Sequence, residues 1–162
     1  MDGESRLEAA LRDGTGELDR DFRRLWISVL ARADLADLEA FAARRGLPDH
    51  EVIRQPETGT VMIEGRAGGG GRRFNAGEAT MTRCVARVGD TLGFSYALGR
   101  GKRKALLSAV YDAMLQDAAT RDELMRDLVE PLRGAQALAR ETASRKAAAT
   151  KVEFFTMVRG DG

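Results

Sequence analysis

The period of the apolar residues changes twice along this chain, and that constrains the fold more than any single motif. Leu18, Phe22, Leu25 and Val29 recur at helical spacing, with Trp26 and Leu30 widening the same stripe. Asp34 reads as the N-cap of a second helix carrying Leu35, Leu38, Phe41 and Ala42, which Gly46 closes and Pro48 does not allow to continue. The period then falls to two. Val61 and Ile63 alternate with Met62 and Glu64 between Thr60 and Arg66, and β-branched Thr80, Thr82, Val85 and Val88 mark a second run from Ala79. Leu92, Phe94, Tyr96 and Leu98 alternate with small residues, and Gly89-Asp90 before them reads as a tight hairpin turn. From Lys102 the helical period returns. Leu106, Val110, Ala113 and Met114 make one face; Leu124, Leu128, Leu132, Ala135 and Leu138 continue it, with Pro131 expected to kink or restart the helix. Lys151-Val-Glu-Phe-Phe-Thr-Met-Val-Arg-Gly160 ends the chain as an apolar strand that either joins the sheet or pairs with another chain.

Helix, strand, helix in that order predicts an α+β fold: a three-stranded antiparallel meander plus a C-terminal strand, with N-terminal helices and a central helical pair. The expectation is one domain over residues 1–162, with 1–17 loosely ordered, 18–46 helical, 50–98 the meander, 102–148 helical and 151–159 the terminal strand. At 162 residues the chain can bury one core but not two comfortable ones.

Charge excludes several functions. The 26 basic and 25 acidic residues leave a net charge of +1, which gives no reason to expect nucleic acid or an anionic membrane as partner. No apolar run approaches the roughly 20 residues of a membrane-spanning helix, and Met1 to Gly14 has no apolar leader segment. Cys84 is the sole cysteine, so neither an internal disulfide nor a cysteine metal cluster is available. A cytoplasmic setting is the expectation.

Gly68 to Gly71 invite comparison with a phosphate cradle. A Walker loop needs a Lys-Ser/Thr pair and then a helix whose N-terminal amides face the phosphates. Here Arg72, Arg73 and Phe74 follow, and then a strand. A hairpin loop is the plainer reading, although Arg72 and Arg73 suit an anion. Gly99-Arg100-Gly101-Lys102-Arg103-Lys104 forms a second basic turn, ahead of a helix, where orphan amides favour anions and a solvated surface turn is equally physical. His50, between Asp49 and Glu51, reads as a solvated loop residue, and Cys84 as a buried filler. Glu57 and Glu78 each adjoin a glycine turn and are candidates for acid–base work if the fold brings them together. No metal site is expected.

Four phrases resemble the PhnG family of the bacterial carbon–phosphorus lyase system: Val52-Ile-Arg-Gln-Pro-Glu-Thr-Gly-Thr-Val-Met62, Arg73 to Val88, Thr91 to Lys102, and Lys151 to Gly160. The resemblance runs from about Trp26 to the C-terminus. It implies a subunit of a large soluble complex in phosphonate catabolism, with sibling subunits H, I and J and the ATPase-type K and L. It further implies that the chain is required with H, I and L to transfer the ribose 5-triphosphate of ATP to methylphosphonate, releasing adenine. The resemblance places the chemistry of this step on subunit I and the iron–sulfur cluster and S-adenosylmethionine of the later step on J, and implies no cofactor for this chain. Gly101, Lys102 and Lys104 stand where the family pattern has Asp, Lys and His, so no proton-transfer role for that histidine carries over.

The resulting expectation is an accessory subunit of a multi-subunit transferase, inactive alone and prone to self-associate. No catalytic residue is assigned. Arg54, Glu57, Thr58, Arg72, Arg73, Glu78, Thr82, Arg83, Arg100 and Lys102 are the candidate anion or interface contacts. The rival is an independent phosphate-handling enzyme, or a small anionic-ligand module, using the basic turns.

Overall fold

The computed structural model describes residues 20–67 and 70–149. The expectations for residues 1–17 and for the terminal strand at 151–159 lie outside the described residues. Within them the order is α1 (Arg20–Arg32), α2 (Leu35–Arg45), β1 (Glu51–Arg66), β2 (Arg73–Val88), β3 (Thr91–Leu98), α3 (Lys102–Gln116), α4 (Ala118–Leu124), a π-helical turn (Met125–Val129) and α5 (Glu130–Ala149). The strands form an antiparallel sheet in the order β1-β2-β3. The α+β architecture matches the switch in period.

Local signals explain the boundaries. Gly46 ends α2 at φ +80°, a left-handed conformation that a side chain resists. Gly89, at φ +55°, turns the chain between Val88 and Thr91, which pair. Asp34 has the extended backbone of an N-cap but makes no side-chain capping bond. Pro131 sits in the first turn of α5, directly after the π-helical turn, where its missing amide costs least.

Strands β1 and β2 begin earlier than the period-two pattern suggests. The register of β1 shifts between Arg54 and Glu57, across Gln55-Pro56. An edge strand with a bulge tolerates a proline that a central strand would not, so pairing continues through it.

Helices cover one face of the sheet. Thr82, Cys84 and Ala86 of β2 and Gly93, Ser95 and Ala97 of β3 point into it and are buried. Their core partners include Trp26, Leu30, Leu107, Val110 and Leu115. Helix α3 packs closest at Gly93. A Cβ built there would stand 1.9 Å from the Ala109 carbonyl oxygen and 2.5 Å from the Ala113 amide nitrogen, so only glycine allows this approach.

Two expectations about helix faces need correction. The face read for α3 was Leu106, Val110, Ala113 and Met114, yet Leu107, Ser108, Ala109, Tyr111 and Leu115 are buried too, and Leu106 is only half-buried. The sheet takes one side of α3 while α1, α2 and α4 take others, so no side is left to water. In α5 the stripe leaves the core: Leu132 is buried, but Ala135 and Leu138 are exposed.

A buried carboxylate ties these layers together. Asp112 on α3 has no exposed surface and accepts hydrogen bonds from four residues, two on α1, one on β3 and one on its own helix. Arg23 donates through Nε (3.2 Å) and its second terminal nitrogen (2.7 Å), Trp26 through Nε1 (2.8 Å), the Phe94 amide (2.8 Å) and Gln116 Nε2 (3.3 Å). Gln116 also donates to the Leu92 carbonyl (2.8 Å). Asp112 and Gln116 therefore occupy outward backbone groups of the first half of β3, an edge strand.

Candidate functional site

Three of the phrases singled out in the sequence converge at one end of the sheet. Thr58 of β1 lies opposite Thr82 of β2, and their hydroxyl oxygens are 3.0 Å apart. Thr82 Oγ1 also lies 2.7 Å from the carbonyl oxygen of Gly99, just past β3. A carbonyl only accepts, so Thr82 gives its proton to Gly99, and Thr58 must donate to Thr82. The Gly99 amide donates to the Thr80 carbonyl (2.8 Å), closing the link from the other side. The Gly99–Lys102 turn is thus held against β1 and β2, with Arg100 and Lys102 exposed on it.

On the uncovered face next to this seam, Glu57 lies opposite Arg83. Arg83 donates two hydrogen bonds to Glu57 Oε2 (3.1 and 3.3 Å), and Arg54 approaches the same oxygen at 3.6 Å. All three side chains are about half exposed, so these pairs are screened and organise the surface more than they stabilise it. Thr58 and Thr82 are thus joined to the turn that carries Arg100 and Lys102, while Arg54, Glu57 and Arg83 form a separate cluster on the other face of the same strands. The Thr58 and Thr82 hydroxyl protons are spent on Thr82 and on the Gly99 carbonyl, so the exposed cations are what could receive an anionic group or a polar partner surface. Among the described residues these side chains form no nucleophile–base pair.

The other three candidates lie elsewhere. Arg72 and Arg73 stand at the far end of the β1–β2 hairpin, where Arg73 pairs with Glu64 at 3.4 Å. Glu78 lies opposite Met62. Glu57 and Glu78 consequently do not meet: five register steps separate them, roughly 16 Å at strand spacing. The acid–base pairing of those two carboxylates is ruled out by the register. Arg66 pairs with Arg73 across a strand–strand hairpin, the Gly71 amide donates to the Ala67 carbonyl (2.8 Å), and the element that follows is β2, not a helix.

Cys84 is buried, with Sγ 3.3 Å from the Arg54 carbonyl oxygen; burial pushes its thiol up, opposite to what a nucleophile requires. His50 Nδ1 lies 2.9 Å from the Pro48 carbonyl oxygen. Among the described residues no group of histidine, cysteine and carboxylate side chains is placed to hold a metal ion, and no helix is long and apolar enough to cross a membrane.

The period-two reading did not anticipate the open depression of about 410 Å³ lined by Ser28, Ala31, Arg32, Tyr96, Leu98 and Lys104. It borders the same basic turn. Burial pushes the Lys104 ammonium down, against the attraction of Asp34. The lysine's place in the basic run was visible in sequence, but its neighbours on α1 were not.

Fold and site together define an α+β protein whose sheet is covered by helices on one face and carries a polar seam at one end. The chain belongs to the PhnG family: the profile described as "Phosphonate metabolism protein PhnG" matches residues 21–160. The "Alpha-D-ribose 1-methylphosphonate 5-triphosphate synthase subunit PhnG" of Rhizobium meliloti (strain 1021) is 41% identical over 145 residues, which span 86% of this chain and 90% of that protein.

Proposed function

We propose that this chain is an accessory subunit of an alpha-D-ribose 1-methylphosphonate 5-triphosphate synthase, working in phosphonate catabolism within the carbon–phosphorus lyase system. The observation that carries the reading is the near full-length likeness to a protein named as a subunit of that synthase. The geometry supports an accessory role, because the polar side chains of the seam are engaged with one another and not arranged as acid, base and nucleophile. The partners are subunits H, I and J with the ATPase-type K and L. ATP is a substrate of the assembly, and the iron–sulfur cluster and S-adenosylmethionine belong to J.

Adenine release from ATP in the presence of methylphosphonate tests the proposal. The chain alone should give no turnover, the H, I and L subunits without it should be inactive, and all four together should be active. Turnover by the isolated chain would establish the independent-enzyme reading instead. The two basic turns separate in a second measurement. Charge reversal of Lys102 and Arg83 should reduce adenine release with assembly intact if the seam contacts substrate, whereas reversal of Arg72 and Arg73 should not touch catalysis directly.

A further inference from the structure

Beyond the last pair of the β2–β3 ladder, Met81 with Leu98, the sheet continues among the described residues as two strands. Residues 59–66 of β1 and 73–80 of β2 pair with each other alone, making a ribbon about 25 Å long at strand spacing. Among the described residues nothing covers either of its faces: Met62 is 61% exposed, Ile63 42% and Phe74 52%. Isolated two-stranded hairpins are marginal in water, and a soluble protein usually blunts a free edge with charge or proline. Here the free edge of β1 presents Thr60-Val61-Met62-Ile63 with no charge among them.

The ribbon is built to aim its aromatic side chain. The register shifts between Ile63 and Glu64, where Ala76 is the extra residue and Gly77 adopts φ +132°. Past that bulge Phe74 lies opposite Gly65, and its ring crosses the bare glycine: a Cβ on Gly65 would come within 2.9 Å of the ring. Near the tip, Arg66 and Arg72 have no carboxylate within ion-pair distance among the described residues, while Arg73 is matched by Glu64.

We infer that this ribbon is a docking arm that inserts into an apolar cleft with a carboxylate rim on another subunit of the carbon–phosphorus lyase assembly. The inference rests on the accessory-subunit reading. Size favours a cleft over a flat surface. One ribbon face is on the order of 250 Å² at strand dimensions, well short of the roughly 800 Å² per partner of a specific interface. Only an occupant that takes both faces and the tip reaches that class. A second copy of this chain fits less well. Side-by-side pairing would satisfy the edge of β1 yet leave both faces of each ribbon bare and give Arg66 and Arg72 no counter-charge. Acidic groups at the mouth of a cleft answer both needs.

The test uses the full chain co-expressed with the H, I and J subunits. A photo-crosslinking phenylalanine analogue at position 74 should attach to one of those subunits, at peptides rich in apolar residues and flanked by Asp or Glu. Attachment only to a second copy, or only to the chain's own residues 151–160, overturns the inference. In parallel, Met62→Ser with Phe74→Ser, and separately Arg66→Glu with Arg72→Glu, should each weaken assembly at least tenfold in size-exclusion and pull-down measurements. Arg140→Glu on exposed α5 should assemble normally. Ribbon variants that assemble like the unaltered chain sink the arm but spare the accessory-subunit reading. An unaltered chain that joins none of the subunits removes both.

Discussion

The two halves of strand β2 differ in what lies around them. From Met81 to Val88 the strand is the middle of a three-stranded sheet with α3 beneath it, and Thr82, Cys84 and Ala86 are buried. From Arg73 to Thr80 the same strand has one neighbour, and six of its first residues are exposed. In the C-terminal half the buried Thr82 hydroxyl lies between Thr58 and Gly99, and the adjoining β3 edge is held by Asp112 and Gln116. In the N-terminal half, Phe74 and its cross-strand neighbours Met62 and Ile63 are exposed, with nothing over them among the described residues. One half of the strand is finished by the described part of its own chain, and the other is the arm inferred above. The difference teaches that backbone pairing alone does not distinguish a core strand from an arm; the layer beneath it does.

Substitutions should report this contrast directly. The largest effect belongs to Asp112→Ala, which strands the Arg23 guanidinium, the Trp26 indole N–H and the Phe94 amide without their shared acceptor. Loss of one member of a buried ionic network costs about 3–5 kcal/mol, so thermal or urea unfolding should show a marginal or unfolded protein. A variant of near-normal stability would mean that the network is replaceable.

Next comes Gly93→Ala, whose methyl group collides with the backbone of α3. Overpacking of this kind costs about 3 kcal/mol, measurable as a drop in the denaturation midpoint. An equivalent methyl at Gly59, which has open space around it, should change stability far less.

Tyr111→Phe is smaller. The phenol donates to the Leu38 carbonyl (2.9 Å), and its removal leaves a buried carbonyl unpaired at a cost of about 1–2 kcal/mol. It also changes pH dependence. Burial pushes the Tyr111 phenol up to about 12, partly opposed by Arg103 and Arg45. The folded state holds this proton more tightly than the unfolded state, so the associated stability is fully present below pH 10 and is lost as pH rises towards 12. The unaltered protein should lose more stability across that window than Tyr111→Phe does. Equal slopes would show that another group governs alkaline unfolding.

At the small end, Met62→Ser with Phe74→Ser should leave the melting temperature of the isolated chain almost unmoved, within about 0.5 kcal/mol for surface sites. A large loss would mean that the ribbon is propped up within the chain and is not an arm.

Much of this was legible in the residues. The change of period separated helices from strands because side chains repeat every 3.6 residues on a helix and alternate on a strand, whatever the fold. Gly46, Gly89 and Pro131 placed two turns and a helix restart for equally local reasons. The phrases around Glu57, Thr82 and Gly99 carried the family likeness. Sequence did not reveal that those phrases meet, or that Glu57 and Glu78 do not, because the meeting depends on register and on a bulge at Gln55-Pro56. Nor did it show α3 as buried all round, since a helix pattern records one face and the number of neighbours is a property of the assembled layers. Local chemistry set the elements of this protein. Tertiary packing alone decided which stretch of β2 became core and which was left as a bare ribbon, because burial depends on what lies across the sheet and not on the strand itself.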